Sequence, residues 1–131
     1  MLKFLIKFIS IIYILSYIHS AQAGDAKAGA KVFNKCKACH GIDEGGKNKL
    51  GPNLWNIINR PKASSVGFAY SNAIVEFGGA WTYEDLNNFI YQPKKYIKGT
   101  KMNFTGLKNI QDRADLILFL RLQSDSPVPL P

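Results

Sequence analysis

The run Cys36-Lys37-Ala38-Cys39-His40 constrains this chain more than any other stretch. Two thiols spaced i, i+3 stand on one helical turn, and an imidazole follows at once. In this pattern each cysteine can form a thioether with a vinyl group of a haem, and the histidine is carried beneath the iron. A census of the other residues narrows the ligand set. His19 falls in a segment read below as a leader, so His40 is the sole histidine of the remainder. Met102 is likewise the sole methionine once Met1 is set aside. If the iron is six-coordinate with the usual ligand types, the second ligand is Met102 almost by elimination.

Other uses of the cysteine pair fit less well. A structural zinc site wants four ligands, and two cysteines with one histidine do not supply them. A thioredoxin-like redox motif should follow a strand in a βαβ unit, and no such alternation is visible. A disulfide at this spacing closes too small a loop to stabilise much.

The first 23 residues have the form of a secretory signal. Lys3 and Lys7 give a positive start, Phe8 to Ile18 is apolar apart from serines, and Ala21-Gln22-Ala23 is an A-x-A cleavage site. The alternative is an uncleaved membrane anchor. Those eleven residues from Phe8 to Ile18 fall short of the roughly 20 that a spanning helix needs. The expectation is export to the periplasm with cleavage before Gly24, leaving residues 24–131 as one small domain. The full chain carries a net charge of +8, and removing Lys3 and Lys7 leaves about +6. Such a surface invites an anionic partner. Nucleic acid is not expected, because the basic residues are not interleaved on a recognisable binding element.

Along residues 24–131, helical signals alternate with long loops. Asp25 is an N-cap for a first helix running to about Lys37. Residues 41–61 are rich in glycine and asparagine, with turns at Gly45-Gly46 and Gly51-Pro52. Ser71 to Phe77 reads as a short helix stopped by Gly78-Gly79. Thr82 and Asp85 form a capping-box variant opening a helix with Leu86, Phe89 and Ile90 on one side, ended by Pro93. A last helix starts near Asn109, with Leu116, Ile117 and Leu120 as its buried stripe. The segment 124–131 has three prolines in its last five residues and should be extended. No stretch alternates like a strand, so the expected fold class is all-α, with loops that pack around a haem.

From Cys36 onward the sequence resembles class I cytochrome c of the mitochondrial and alphaproteobacterial type. The matching segments are the haem motif, Gly51-Pro52-Asn53-Leu54, Gly67-Phe68-Ala69-Tyr70, Trp81, and the run from Pro93 to Met102. The resemblance implies a small single-domain cytochrome c fold around one covalent haem c attached at Cys36 and Cys39, with His40 and Met102 as axial ligands. It implies that Pro52 offers its carbonyl to the outer nitrogen of His40. Arg60, Tyr70 and Trp81 would hold a buried haem propionate, and Thr100 and Phe104 would flank the methionine. Gly29 and Phe33 would let the first helix cross tightly against Leu116 and Phe119.

Four positions depart from the mitochondrial pattern. Phe89 stands for a common tyrosine, Ile74 for an asparagine, Ala69 for a threonine and Asn48 for a histidine. These departures put the usual propionate and buried-water hydrogen-bond network in doubt.

With both axial positions filled, the chemistry expected is one-electron transfer through the haem edge, not catalysis. Lys35, Lys49, Lys94, Lys95, Lys101 and Lys108 are expected to ring that edge and dock a monomeric carrier on acidic patches. The implied partners are a bc1-type complex as donor and a terminal oxidase as acceptor. A haem enzyme or sensor, in which Met102 is displaced by peroxide or a gas, is the competing reading. A membrane-tethered carrier differs only at the leader.

Overall fold

The computed structural model describes residues 23–131. The leader, apart from Ala23, lies outside the described residues. Five α-helices follow in order: α1 (Ala26–Val32), α2 (Asn72–Phe77), α3 (Tyr83–Tyr91), α4 (Pro93–Tyr96) and α5 (Ile110–Leu122). Among the described residues the only extended pairing is an antiparallel bridge between Pro61 and Ala80. The all-α expectation holds.

Local chemistry sets the helix ends. The Asp25 carboxylate accepts from the amides of Lys27 and Ala28, satisfying orphan donors at the start of α1. The first helix is shorter than expected. Its regular α turns stop at Val32, and Phe33–Lys35 tighten into a 3₁₀ turn that carries the chain into the cysteine motif. Ser71 and Asn109 cap α2 and α5 with their side chains. At α3 the Thr82 hydroxyl accepts from the Asp85 amide at 3.1 Å and donates to the Asp85 carboxylate at 2.8 Å. Pro93 does more than end α3. With no N–H to leave unpaired, it opens α4 as the first helical residue.

Helix α1 packs across α5, and sequence dictates how closely. A β-carbon at Gly29 would run into the backbone carbonyl of Asp115, so only glycine permits this approach. Beside it, the Phe33 and Phe119 rings lie 5.4 Å apart. The Asp25 amide donates to the Asp115 carboxylate at 2.7 Å, pinning the start of α1 to the middle of α5.

The buried stripe of α5 differs from the expected one. Leu116 and Leu120 are in the core, but Ile117 is only half-buried. Arg113 and Asp115 are buried instead, and both are hydrogen-bonded. Arg113 donates to the Asn87 side chain and to the Leu107 and Lys108 carbonyls, while Asp115 also accepts from Gln111. A sum over hydrophobicity along α5 cannot see these pairings, two of which, to Asn87 and Asp25, reach chain far away in sequence.

Leu86, Phe89 and Ile90 on α3 complete the core together with Trp81, Ile97 and Leu107. The last turn of α3 is closed by the chain that returns beneath it. Leu107 donates its amide to the Ile90 carbonyl at 2.9 Å, and the Lys108 ammonium reaches the Tyr91 carbonyl at 2.8 Å.

Candidate haem site

The cysteine motif sits in a tight turn. The amides of Cys39 and His40 both donate to the Cys36 carbonyl at 3.0 Å, so the two thiols and the imidazole leave the chain within one turn. Burial pushes the Cys36 thiol up to about 11, with Cys39 adding to the shift and the Lys35 charge opposing it. A free thiol there is protonated near neutral pH, a poor metal ligand and a poor nucleophile. Among the described residues no cluster of three or more histidine, cysteine or acidic side chains exists that could bind a metal ion.

His40 is held from two sides. Its Nδ1 lies 2.8 Å from the Pro52 carbonyl oxygen. A carbonyl only accepts, so Nδ1 carries the proton and Nε2 keeps a free lone pair. Burial lowers the imidazole's affinity for a second proton; the Pro52 contact opposes this, and the charges of Arg60 and Lys49 reinforce it. The other constraint is Gly51, where any β-carbon would strike the His40 ring. The Gly51-Pro52 pair thus packs against the ring and orients it, a role for Gly51 that its reading as a turn residue missed.

Arg60 is the second focus. Its Nη1 donates to the Trp55 carbonyl at 2.7 Å and its Nη2 to the Asn53 carbonyl at 2.9 Å. Its Nε is buried and has no partner. Burial lowers the guanidinium's pKa, with the neighbouring Tyr70 opposing. Nearby, the Tyr70 hydroxyl accepts from the Ser65 amide at 3.1 Å and edges its ring onto Phe68. The Trp81 indole is buried against Phe89, ring to ring at 4.9 Å. A buried guanidinium N–H without an acceptor is costly in a protein interior. A carboxylate is the group that would complete it.

Asn48, one of the departures from the mitochondrial pattern, has a network of its own. Its Oδ1 accepts from the Asn53 amide and the Ser65 hydroxyl, and its Nδ2 donates to the Val66 carbonyl. It ties the loop bearing Pro52 to the loop bearing Tyr70.

Met102 is half-buried against the core, as are Leu54, Ile74, Phe104 and Ile117. The Met102 amide donates to the hydroxyl of the buried Thr100 at 3.3 Å. A closely set thiol pair, an oriented imidazole with a free Nε2, a half-covered apolar set and an orphaned cationic N–H together fit a haem with carboxylate arms.

The comparisons with known proteins agree. A family model for cytochrome c matches residues 26–124. The chain belongs to the cytochrome c family. It is 48% identical over 100 residues to a cytochrome c homolog of Rickettsia prowazekii, a match covering 76% of this chain and 57% of that protein. It therefore spans less than two thirds of the length of that relative. It is 46% identical over 102 residues to cytochrome c of Guizotia abyssinica, covering 77% of this chain and 92% of the other. The structure is similar to that of cytochrome cH from Methylobacterium extorquens, with a TM-score of 0.71, 37% identity, and coverage of 76% of this chain and 99% of the other. Members of the family carry electrons on one covalently attached haem c, and Cys36 and Cys39 have the required spacing.

The six lysines named from the sequence are all exposed. They are not equally free. Lys35 lies 3.7 Å from Asp112, Lys49 donates to the Lys37 carbonyl, and Lys94 donates to Asn103. Lys101 reaches the Ala69 and Tyr70 carbonyls at 3.4 Å, while Lys108 lies over the Tyr91 ring. One lysine behaves differently from all of these. Lys62 is buried, donates to the Ala80 carbonyl at 2.7 Å and sits 3.4 Å from Asp85. Its ammonium lies 5.0 Å from the Trp81 ring centre and 5.2 Å from that of Phe77. Nothing in its sequence neighbourhood marks it as a core residue.

Proposed function

We propose that this protein is a single-haem electron carrier in which His40 and Met102 are the axial ligands and Cys36 and Cys39 the points of covalent attachment. The observation that carries this reading is the oriented imidazole beside the paired thiols. With Nδ1 committed to the Pro52 carbonyl, Nε2 is the only nitrogen left to meet a metal. When bound, haem c supplies a one-electron iron couple whose potential is raised by a thioether ligand. The protein's own residues do the rest. Cys36 and Cys39 hold the group in place. Met102, whose amide is held by the Thr100 hydroxyl, would supply the second protein ligand and keep other molecules from the iron.

Arg60, Tyr70 and Trp81 form the carboxylate end of the site. Arg60 Nε and the Tyr70 hydroxyl hydrogen are donors available to a propionate. Pairing them offsets the cost of taking that carboxylate out of water. The exposed Lys35, Lys49, Lys94, Lys95, Lys101 and Lys108 supply a positive docking face. Their partners would be acidic patches on a bc1-type donor and a terminal oxidase acceptor at the periplasmic face of a membrane.

Two experiments test the reading. Met102→Ala in haem-loaded protein should abolish the weak long-wavelength charge-transfer band of sulfur-ligated ferric iron and lower the reduction potential. An unchanged spectrum overturns the ligand assignment. Electron-transfer rates with an acidic partner should fall steeply as salt rises. A flat response removes the docking face and leaves the haem site standing.

A further inference from the structure

The Pro-rich segment after residue 124 lies beyond the part of the chain that the family model matches, and it is not a loose end. It folds back over the loop that carries Arg60. Three hydrogen bonds from Asp125 join them, and a fourth comes from Gln123, at the end of α5 just before the segment. The Asn56 amide donates to the Gln123 carbonyl at 3.0 Å, and the Asp125 amide donates to Asn56 Oδ1 at 3.2 Å. Asn56 Nδ2 and Trp55 Nε1 both donate to Asp125 Oδ2, at 2.6 and 3.4 Å. Farther along, the Val128 carbonyl accepts from the Tyr83 hydroxyl at 2.9 Å and from Arg121 Nε at 2.6 Å, and Val128 packs on the core.

The connection to the site runs through one peptide group. The unit between Trp55 and Asn56 gives its N–H to Gln123 and its carbonyl to Arg60. A peptide unit is planar and its N–H and C=O point in opposite directions, so fixing one end aims the other. Asn56 holds this unit with φ at +56°, a left-handed conformation that asparagine accepts better than most residues. Gripping the Asn56 side chain from Asp125 keeps it there.

We infer that residues 123–128 act as a strap that positions Arg60 through the Trp55–Asn56 peptide, with Asp125 and Tyr83 as its two anchoring residues. The strap thereby holds the Arg60 guanidinium against the haem carboxylate. This rests on the reading of Arg60 as that carboxylate's partner. Asp125 and Tyr83 are positioning residues, since neither reaches the carboxylate itself.

The test compares haem-loaded variants by reduction potential, with thermal unfolding measured in parallel. Arg60→Ala calibrates the scale. Losing a cation beside a buried carboxylate favours the more positive ferric iron, so the potential should fall. Tyr83→Phe changes no charge and releases one anchor; it should lower the potential by a fraction of the Arg60→Ala shift. Asp125→Ala and Asp125→Asn remove the same charge, but only asparagine keeps an acceptor for Asn56. The alanine variant should therefore lie below the asparagine variant. In an Arg60→Ala background, the tail substitutions should shift the potential no further. Tail variants that lower the unfolding temperature but leave the potential at the parental value overturn the strap, as do shifts fully additive with Arg60→Ala. If Arg60→Ala itself leaves the potential unchanged, the carboxylate reading fails and the inference fails with it.

Discussion

Where α1 crosses α5, contact is made by shape: a missing β-carbon at Gly29, two phenylalanine rings tilted against each other, and buried leucines. Around His40 and Arg60 contact is made by direction. There the carbonyls of Pro52, Asn53 and Trp55 each receive a side-chain donor, and the apolar groups nearby are only half covered. The first region is complete with protein atoms alone. The second is a set of oriented donors and half-wrapped apolar surface, which is what a site for a large planar cofactor requires. Close packing tolerates no added volume, whereas a directed polar frame tolerates no lost partner. The two regions should therefore fail under different substitutions.

The sharpest break of the packed region is Gly29→Val. Its side chain would meet the Asp115 backbone, which cannot move aside without distorting α5. The expected loss is about 3 kcal/mol or more, read as a lower unfolding temperature in haem-loaded protein. A loss below the size of a surface substitution would show that the crossing can slide.

The equivalent break of a directed polar contact is Asp85→Ala, at a buried pair outside the site. It strands the buried Lys62 ammonium, whose side chain is 2% exposed, with only a carbonyl and two ring faces. Stranding a buried charge should cost about 3 kcal/mol. Lys62→Met should cost less, because Asp85 keeps the Thr82 and Tyr96 hydroxyls as donors. Denaturant unfolding of both variants checks the order; equal losses would mean that the pair, not the stranded charge, sets the cost.

The same carboxylate gives a smaller effect in acid. Burial pushes the Asp85 carboxyl up, but the Tyr96 and Thr82 hydrogen bonds and the Lys62 charge outweigh it and hold the group below its ordinary 3.8. The unfolded chain then takes up the proton first as pH falls. Asp85 thus contributes stability above the ordinary value and loses it as pH drops through the lower folded value. Replacing Asp85 by asparagine should flatten the acid limb of a stability-against-pH curve between the ordinary 3.8 and the lower folded value. An unchanged limb would assign acid unfolding to other carboxylates.

Phe89→Tyr is the mildest probe. Phe89 is buried against Trp81, and a hydroxyl there would offer a donor within the core that Met102 packs against. A small shift in reduction potential with little change in stability is expected. An unaltered potential makes the position electronically silent.

Local rules disclosed a good part of this fold before any coordinates. The caps at Asp25 and Thr82 and the helix starts near Ser71 and Asn109 stand where short polar side chains precede apolar periodicity. The α3 face of Leu86, Phe89 and Ile90 follows from spacing alone. What spacing does not carry is a polar contact between distant segments. Lys62 reads as a surface lysine until the chain at Ala80 and Asp85 is brought beside it. Arg113 and Asp115 look like the solvent face of α5 until Asn87 and Asp25 arrive. At the site, the cysteine motif was visible from two residue types at a fixed interval. The orphaned Arg60 Nε, the Asn48 bridge and the grip of Asp125 on Asn56 were not, because each depends on how separate loops are stacked.

The crossing of α1 and α5 also sets a schedule for biogenesis. Its anchoring hydrogen bond, from Asp25 to Asp115, spans 90 positions of the chain. Closing so long a loop costs entropy that is recovered only when the second helix arrives, and such distant pairings slow folding. A polypeptide emerging N-terminus first cannot complete its core until residues 110–122 are available. For that whole interval Cys36 and Cys39 stand on a chain whose core is still open, and Cys39 stays exposed after the final helix has docked.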